Sequence, residues 1–574
     1  GNTAAATSGD DRSAQIGYRA SDIDVTLGRS AATGRIRVEM LNDITMSAGL
    51  KTAATGNHSA TPGQYNYVQI GHGGRDATSN GYNLSGDIIL RAGLGSDAGI
   101  TGNIIATGGN NLGGFVRVGH GGHNGATASG SFSGDITVEA SGAVAFTGGA
   151  GRRAFAQVGH GGHDVDAGTT LGGAGYHSGE IAVRAGGSVS FTGGIGYTGG
   201  TTGDLFVTDG RSFAMIGHGG YASEARGLQG HQGDIVVDAG GSLLMKAGDI
   251  DDNFSQIGHG GGASQVVDAA ADGHSGNIEV TAATGIALLA GTGQTFRTTQ
   301  DGRMFSHIGH GGYNSGSGNN LAPVVGSLSG HSGDISVTTA TGDILIYGGN
   351  TANGSAGNGL GRLHFAQIGH GGHGSPGAHH GDIVVESTAG AIDARGGATT
   401  DDATDGTRNF ALIGHGGHAG TRGTYGRAGD VISVTAGTGI SFAAGGSASG
   451  GRNFAQVGHG GYDADMTPEL LPGQGGNIAD ILVRSLAGDI VFTASGGTSN
   501  YVQLGHGGLV TGGDQTGDIE VTAEGGAIRF LAGTTTDAYA LLGHGGRSSD
   551  GNRSGDLSVI ADQGILFQAG TGTR

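Results

Sequence analysis

Short stretches of strict period-two alternation between apolar and polar residues recur along this chain. In 134–140 (GDITVEA) and 142–148 (GAVAFTG), Ile136, Val138, Val144 and Phe146 fall on one parity. Thr137, Glu139, Ala145 and Thr147 fall on the other. Successive side chains of a strand point to opposite faces, so each stretch predicts a short strand with one buried face. The pattern returns at 333–339 (GDISVTT) and 525–533 (GGAIRFLAG). A third apolar run stands ahead of each pair: FAQV at 155–158, FAQI at 365–368 and YVQL at 501–504. No window of useful length carries a helical period. A unit of three strands cannot bury its apolar face alone, whereas stacked units bury a continuous core.

The third run always leads into the same phrase, Gly-His-Gly-Gly. Its histidines are His72, His120, His160, His218, His259, His310, His370, His415, His459, His506 and His544, and a degenerate first copy carries Tyr18 in their place. Spacings run from 38 residues (His506 to His544) to 60 (His310 to His370), so a fixed unit alternates with variable insertions. The expected fold is all-β: a right-handed parallel β-helix, or β-solenoid, of about twelve three-stranded rungs with variable loops. It forms one domain over 1–574, with a degenerate first rung at about 13–49 and regular rungs over about 65–570. Handedness follows from the general preference for right-handed crossovers. At ~4.8 Å per rung the stack is about 58 Å long.

In the FAQV strand, Ala156 and Val158 share a face and are expected inside, because that position stays small or aliphatic (Val68, Ser255, Ser306, Val502). Gln157 falls on the other face and is expected outside, since Arg117, His307 and Leu412 replace it elsewhere. The Phe/Tyr column has two open placements: outward under the preceding loop, or turned inward by a bend.

Composition changes this picture in only a few places. The 131 glycines and 5 prolines approach the level of disordered chains, but here glycine recurs in register with β-branched and aromatic runs. Acidic residues outnumber basic ones, 48 to 28, and the lysines are Lys51 and Lys246 alone. Without a clustered cationic stripe, nucleic acid is not an expected partner. No apolar run reaches the roughly 18 residues of a membrane span. Cysteine is absent, which excludes a disulfide framework and suits passage through an outer membrane in an unfolded state. Strand pattern begins at Ser13 and continues to Gly570, so open end rungs predict end-to-end self-association or membership of a longer parent chain.

The tandem Gly-Asp-Ile-x-Val-x-Ala and Gly-x-Ile-x-Phe-x-Ala-Gly, from about Ala14 to Gly570, resembles the repeats of filamentous-haemagglutinin-like adhesins. These are β-helical exoproteins of the two-partner-secretion and autotransporter type. The resemblance implies an extracellular protein on a Gram-negative cell surface that adheres to glycans or other cells, or builds a rod or filament.

The histidines are the candidate chemistry. The eleven of the Gly-His-Gly-Gly column are expected to form a structural ladder, mostly neutral at pH 7, because stacked imidazoles cannot all be cationic. A second set, His177, His231, His274, His331 and His379, precedes the Gly-Asp strand in five consecutive units. Two quartets, His120, His123, His160, His163 and His370, His373, His415, His418, have the ligand type and number for Zn, Cu or Ni. The strand-leading acids Asp87, Asp135, Glu180, Asp234, Asp334, Asp382 and Asp518 are expected to accept backbone N–H groups, with calcium bridging as the alternative. No resident cofactor is expected. The rival class is a glycan-active β-helix enzyme, which requires one rung with a distinctive acid–base cluster. No unit carries one, so no catalytic residue is assigned.

Overall fold

The computed structural model describes residues 13–18, 31–49, 65–75, 83–94, 100–123, 131–164, 176–195, 210–223, 225, 229–249, 252–264, 272–291, 303–314, 329–349, 363–398, 408–420, 424–446, 451–464 and 476–571. Three sheets of 12 strands each run through these residues, and neighbouring strands pair in parallel. In the fourth rung the three strands are Ala156–Val158, Ile181–Ala185 and Val189–Thr192. The chain is therefore a right-handed parallel β-helix of twelve rungs, each adding one strand to every sheet.

Register follows the buried parity. Ile136 pairs with Ile181, Val138 with Val183, Val144 with Val189 and Phe146 with Phe191, so like residues stack. A one-residue slip would turn every one of these side chains to the outside. Ala156, Val158, Ile181, Val183, Val189 and Phe191 are buried and meet in the space enclosed by the three sheets. That core is continuous from Ile36 to Phe530. Each fully buried Val, Ile or Phe in it contributes about 1.5–3 kcal/mol.

Rungs also contain a fourth, shorter strand that the period-two reading does not reveal. Gly161–His163 and its equivalents form a 10-stranded sheet from Gly73–Arg75 to Gly507–Leu509. After Val158 the chain turns at Gly159-His160 and lays this glycine strand over the outer face of the first sheet. The strand must be glycine on two counts. Gly261 has φ +109°, and a Cβ there would lie 2.1 Å from the Gly220 carbonyl and 3.2 Å from the Phe254 ring.

The glycine strand corrects one expectation and decides another. Gln157 faces away from the main core, as parity requires, but it is fully buried rather than outside. Phe155, Phe213, Phe254, Phe305, Phe365 and Phe410 form a second apolar core between the first sheet and the glycine sheet. Their rings stack about one strand spacing apart, 4.8 Å for Phe155 on Phe213. Thus neither a loop nor an inward bend covers the aromatics.

Candidate functional site: the histidine ladders

The imidazoles of the Gly-His-Gly-Gly column form one continuous stack from His72 to His544. His120 and His160 lie 4.8 Å apart with planes 1° from parallel, and His259 and His310 lie 4.8 Å apart at 2°. Tyr18 extends the stack beyond His72 at 5.1 Å. Each imidazole but that of His459, whose Nε2 has no partner among the described residues, is locked by two bonds. The backbone N–H of a ladder histidine donates to Nδ1 of the histidine in the following rung: His120 to His160 at 3.0 Å, His218 to His259 at 3.0 Å, His506 to His544 at 3.1 Å. Because Nδ1 accepts, the ring proton sits on Nε2. That nitrogen donates to the glycine carbonyl ahead of the Gly-Asp strand: His160 to Gly134 at 2.9 Å, His259 to Gly233 at 2.7 Å, His310 to Gly276 at 2.8 Å.

This geometry fixes one neutral tautomer. Burial pushes the His120 pKa down to about 3 and the His310 pKa down to about 4. His218 and His259 also lie well below the ordinary histidine range, from burial first and from neighbouring imidazoles second.

The second set forms a parallel ladder. His177, His231, His274, His331 and His379 stack at 4.7–4.9 Å, between Phe132 at one end and Tyr425 at the other. Again the backbone N–H donates to the following Nδ1, for example His231 to His274 at 3.0 Å. The rings pack on the far side of the glycine strand: a Cβ on Gly260 would meet the His274 ring at 2.9 Å.

The proposed metal quartets divide between two columns. His120 and His160 belong to the first ladder, where both ring nitrogens are engaged. His123 and His163 sit at the edge of the second core, stacked face to face at 4.9 Å, with Tyr221 following. His370 and His415 likewise belong to the first ladder, while His373 and His418 stack at 4.7 Å beside Tyr462. Arg153 opposes a cation at His123 while the Asp164 carboxylate, 3.0 Å from Nδ1 of His163, favours one, and Arg303 and Arg408 oppose a cation at His373. Among the described residues, no group of three or more His, Cys, Asp or Glu side chains is arranged to hold a metal ion.

The acidic column makes a third rung-to-rung ladder, on the exposed side. Oδ1 of Asp135 accepts from the Glu180 N–H at 3.0 Å, Asp234 from Asn277 at 2.8 Å, Asp382 from Val431 at 2.8 Å and Asp518 from Asp556 at 2.7 Å. The carboxylates do accept backbone N–H groups, but from the next rung rather than from their own turn.

Two further ladders escape a reading by residue type alone. Gln157 Nε2 donates to the Gly217 and Gly219 carbonyls of the next rung at 2.9 and 3.0 Å. Arg117 takes the same role, its guanidinium buried against the Gly159, Gly161 and His120 carbonyls. Just before the aromatic, Asn409, Asn453 and Asn500 form an amide ladder, with N–H to Oδ1 distances of 3.0 Å. The signal was present as the recurring Asn-Phe and Asn-Tyr dipeptides.

Fold and ladders together define a class: a parallel β-solenoid whose rungs are tied to one another by columns of His, Asn, Gln and Asp side chains. Comparison with family models, with curated proteins and with solved structures returned no match. Among the described residues no helix is long and apolar enough to cross a membrane.

Proposed function

We propose that this chain is an extracellular structural and adhesive repeat protein, a stiff rod at a bacterial cell surface that presents its outer faces and insertions to glycans or other cells. One observation carries the reading. The Gly-His-Gly-Gly histidines and the strand-leading aspartates, residue types that ordinarily do chemistry, recur at fixed rung positions and are engaged in bonds between rungs. A catalyst needs one rung that departs from the rest, with a free acid or base facing a groove. A rod needs every rung alike. The sequence resemblance to filamentous-haemagglutinin-like exoproteins supports the surface location, and end-to-end self-association belongs to the same reading.

The test images the purified chain, measures its mass in dilute solution, and screens it on glycan arrays and intact cells while assaying the same samples for glycan cleavage. Rods of about 58 Å or multiples of that length, saturable binding and intact glycans are expected. Cleavage of a glycan would replace this reading with the enzyme. Absence of binding to every surface would remove the adhesive part.

A further inference from the structure

We propose that the two histidine ladders form an acid-triggered release: the rod holds at neutral pH and opens, several rungs together, as the pH falls through the range where unfolded histidine takes up a proton. The argument starts from His218, His259 and His310 in the middle of the rod. Both nitrogens of the His259 ring are committed, Nδ1 as acceptor from the His218 N–H at 3.0 Å and Nε2 as donor to the Gly233 carbonyl at 2.7 Å. A proton added to Nδ1 would set donor against donor, so this ring cannot charge without losing its bond to the neighbouring rung.

Among the described residues no counter-charge waits for it. The ionisable groups acting on His259 are His218, His310 and His231. Those acting on His218 are His160, His231 and Arg117, and His307 acts on His310. All are imidazoles except the guanidinium, so every neighbour opposes a cation. The second ladder accepts on Nδ1 in the same way, His274 from the His231 N–H and His331 from the His274 N–H, and it faces the first. His231, His274 and His331 are fully buried, and His231, His259 and His310 all act on His274. Protonating one ring therefore raises the cost at its stacked neighbour, until a run of rungs opens and every released ring can charge in water.

The sign is fixed by these values. Unfolded histidine binds a proton near pH 6.5, whereas His231 and His310 in the rod are held down to about 4. The folded state binds fewer protons, so stability is complete above the unfolded value and falls with pH from there until the folded value is reached. Each such histidine lowers the folded-to-unfolded ratio about tenfold per pH unit in that window. His218, His231, His259, His274, His310 and His331 together lower it about a million-fold per unit. Unfolded carboxylates titrate only near pH 4, so the upper part of the window belongs to histidine.

The experiment follows urea unfolding of the whole chain from about pH 8 to about pH 5 and derives the protons taken up on unfolding from the slope. Stability flat above about pH 7, falling steeply below about pH 6.5 with roughly six or more protons bound near pH 5.5, and recovering on return to neutral pH, is expected. His259→Gln, whose amide can serve both bonding partners without titrating, should reduce the uptake by about one proton. Unchanged stability between about pH 7.5 and pH 5, or a slope that His259→Gln leaves intact, would overturn the proposal.

Discussion

Replacing His259 by alanine isolates the contribution of a single ladder ring. The substitution leaves the His218 N–H without its acceptor and the Gly233 carbonyl without its donor, at contacts of 3.0 and 2.7 Å in a fully buried site. Orphaning a buried donor or acceptor costs about 1–3 kcal/mol per group. The ring also stacks on both sides, with His218 and His310 at 4.8 Å, and each such aromatic pair contributes about 0.5–1.5 kcal/mol beyond area burial. A loss of about 6 kcal/mol is the central expectation. The His259 N–H keeps its own acceptor, Nδ1 of His310 at 3.0 Å, so the damage stays local. In a repeat array a single global unfolding energy is poorly defined. The assay is therefore native-state hydrogen exchange on the rungs of His218, His259 and His310, at neutral pH. His259→Gln should recover part of the loss. A His259→Ala cost below about 1 kcal/mol, or equal costs for Ala and Gln, would refute the reasoning.

Two other substitutions test the carbonyl bonds of the second core. Arg117→Gln keeps a donor to the carbonyls of the next rung and removes a buried guanidinium that has no ion pair among the described residues; it should raise local stability by about 1 kcal/mol or more in urea melts, and a clear loss would contradict that. Met215 offers no hydrogen to the Gly258 and Gly260 carbonyls, the positions that Gln157 serves one rung earlier. Met215→Gln should therefore add about 1 kcal/mol to the exchange protection of these rungs, and a variant that opens more readily would speak against it.

The main core was legible because its side chains obey one rule along the whole chain. Ile136, Val138, Val144 and Phe146 were placed inward by parity, and all four are fully buried. Parity also put Gln157 and Phe155 on the face opposite Ala156. It could not show what covers that face, because the covering strand is glycine and carries no apolar pattern. Tolerance of Arg117, His307 and Leu412 at the Gln position looked like exposure. In fact Gln157, Arg117 and His307 each donate into carbonyls of the next rung, and Leu412 joins the second core. The Gly-His-Gly-Gly column was readable as a ladder, but the bonding partner of each Nδ1 lies one rung away at separations of 38–60 residues. The quartets looked close in sequence because His123 follows His120 by only three positions. The turn at the glycines sends the two onto different columns.

The account rests on each ladder ring being a neutral Nε2–H tautomer bonded to the backbone of the preceding rung. Nitrogen-15 NMR of histidine-labelled protein at neutral pH measures this directly, through the tautomer and the coupling carried across N–H···N bonds. The account predicts an unprotonated Nδ1 for His160, His218, His259 and His310, with coupling from the His218 backbone nitrogen to the His259 Nδ1. Protons on Nδ1, or rings exchanging between tautomers without such coupling, would contradict it.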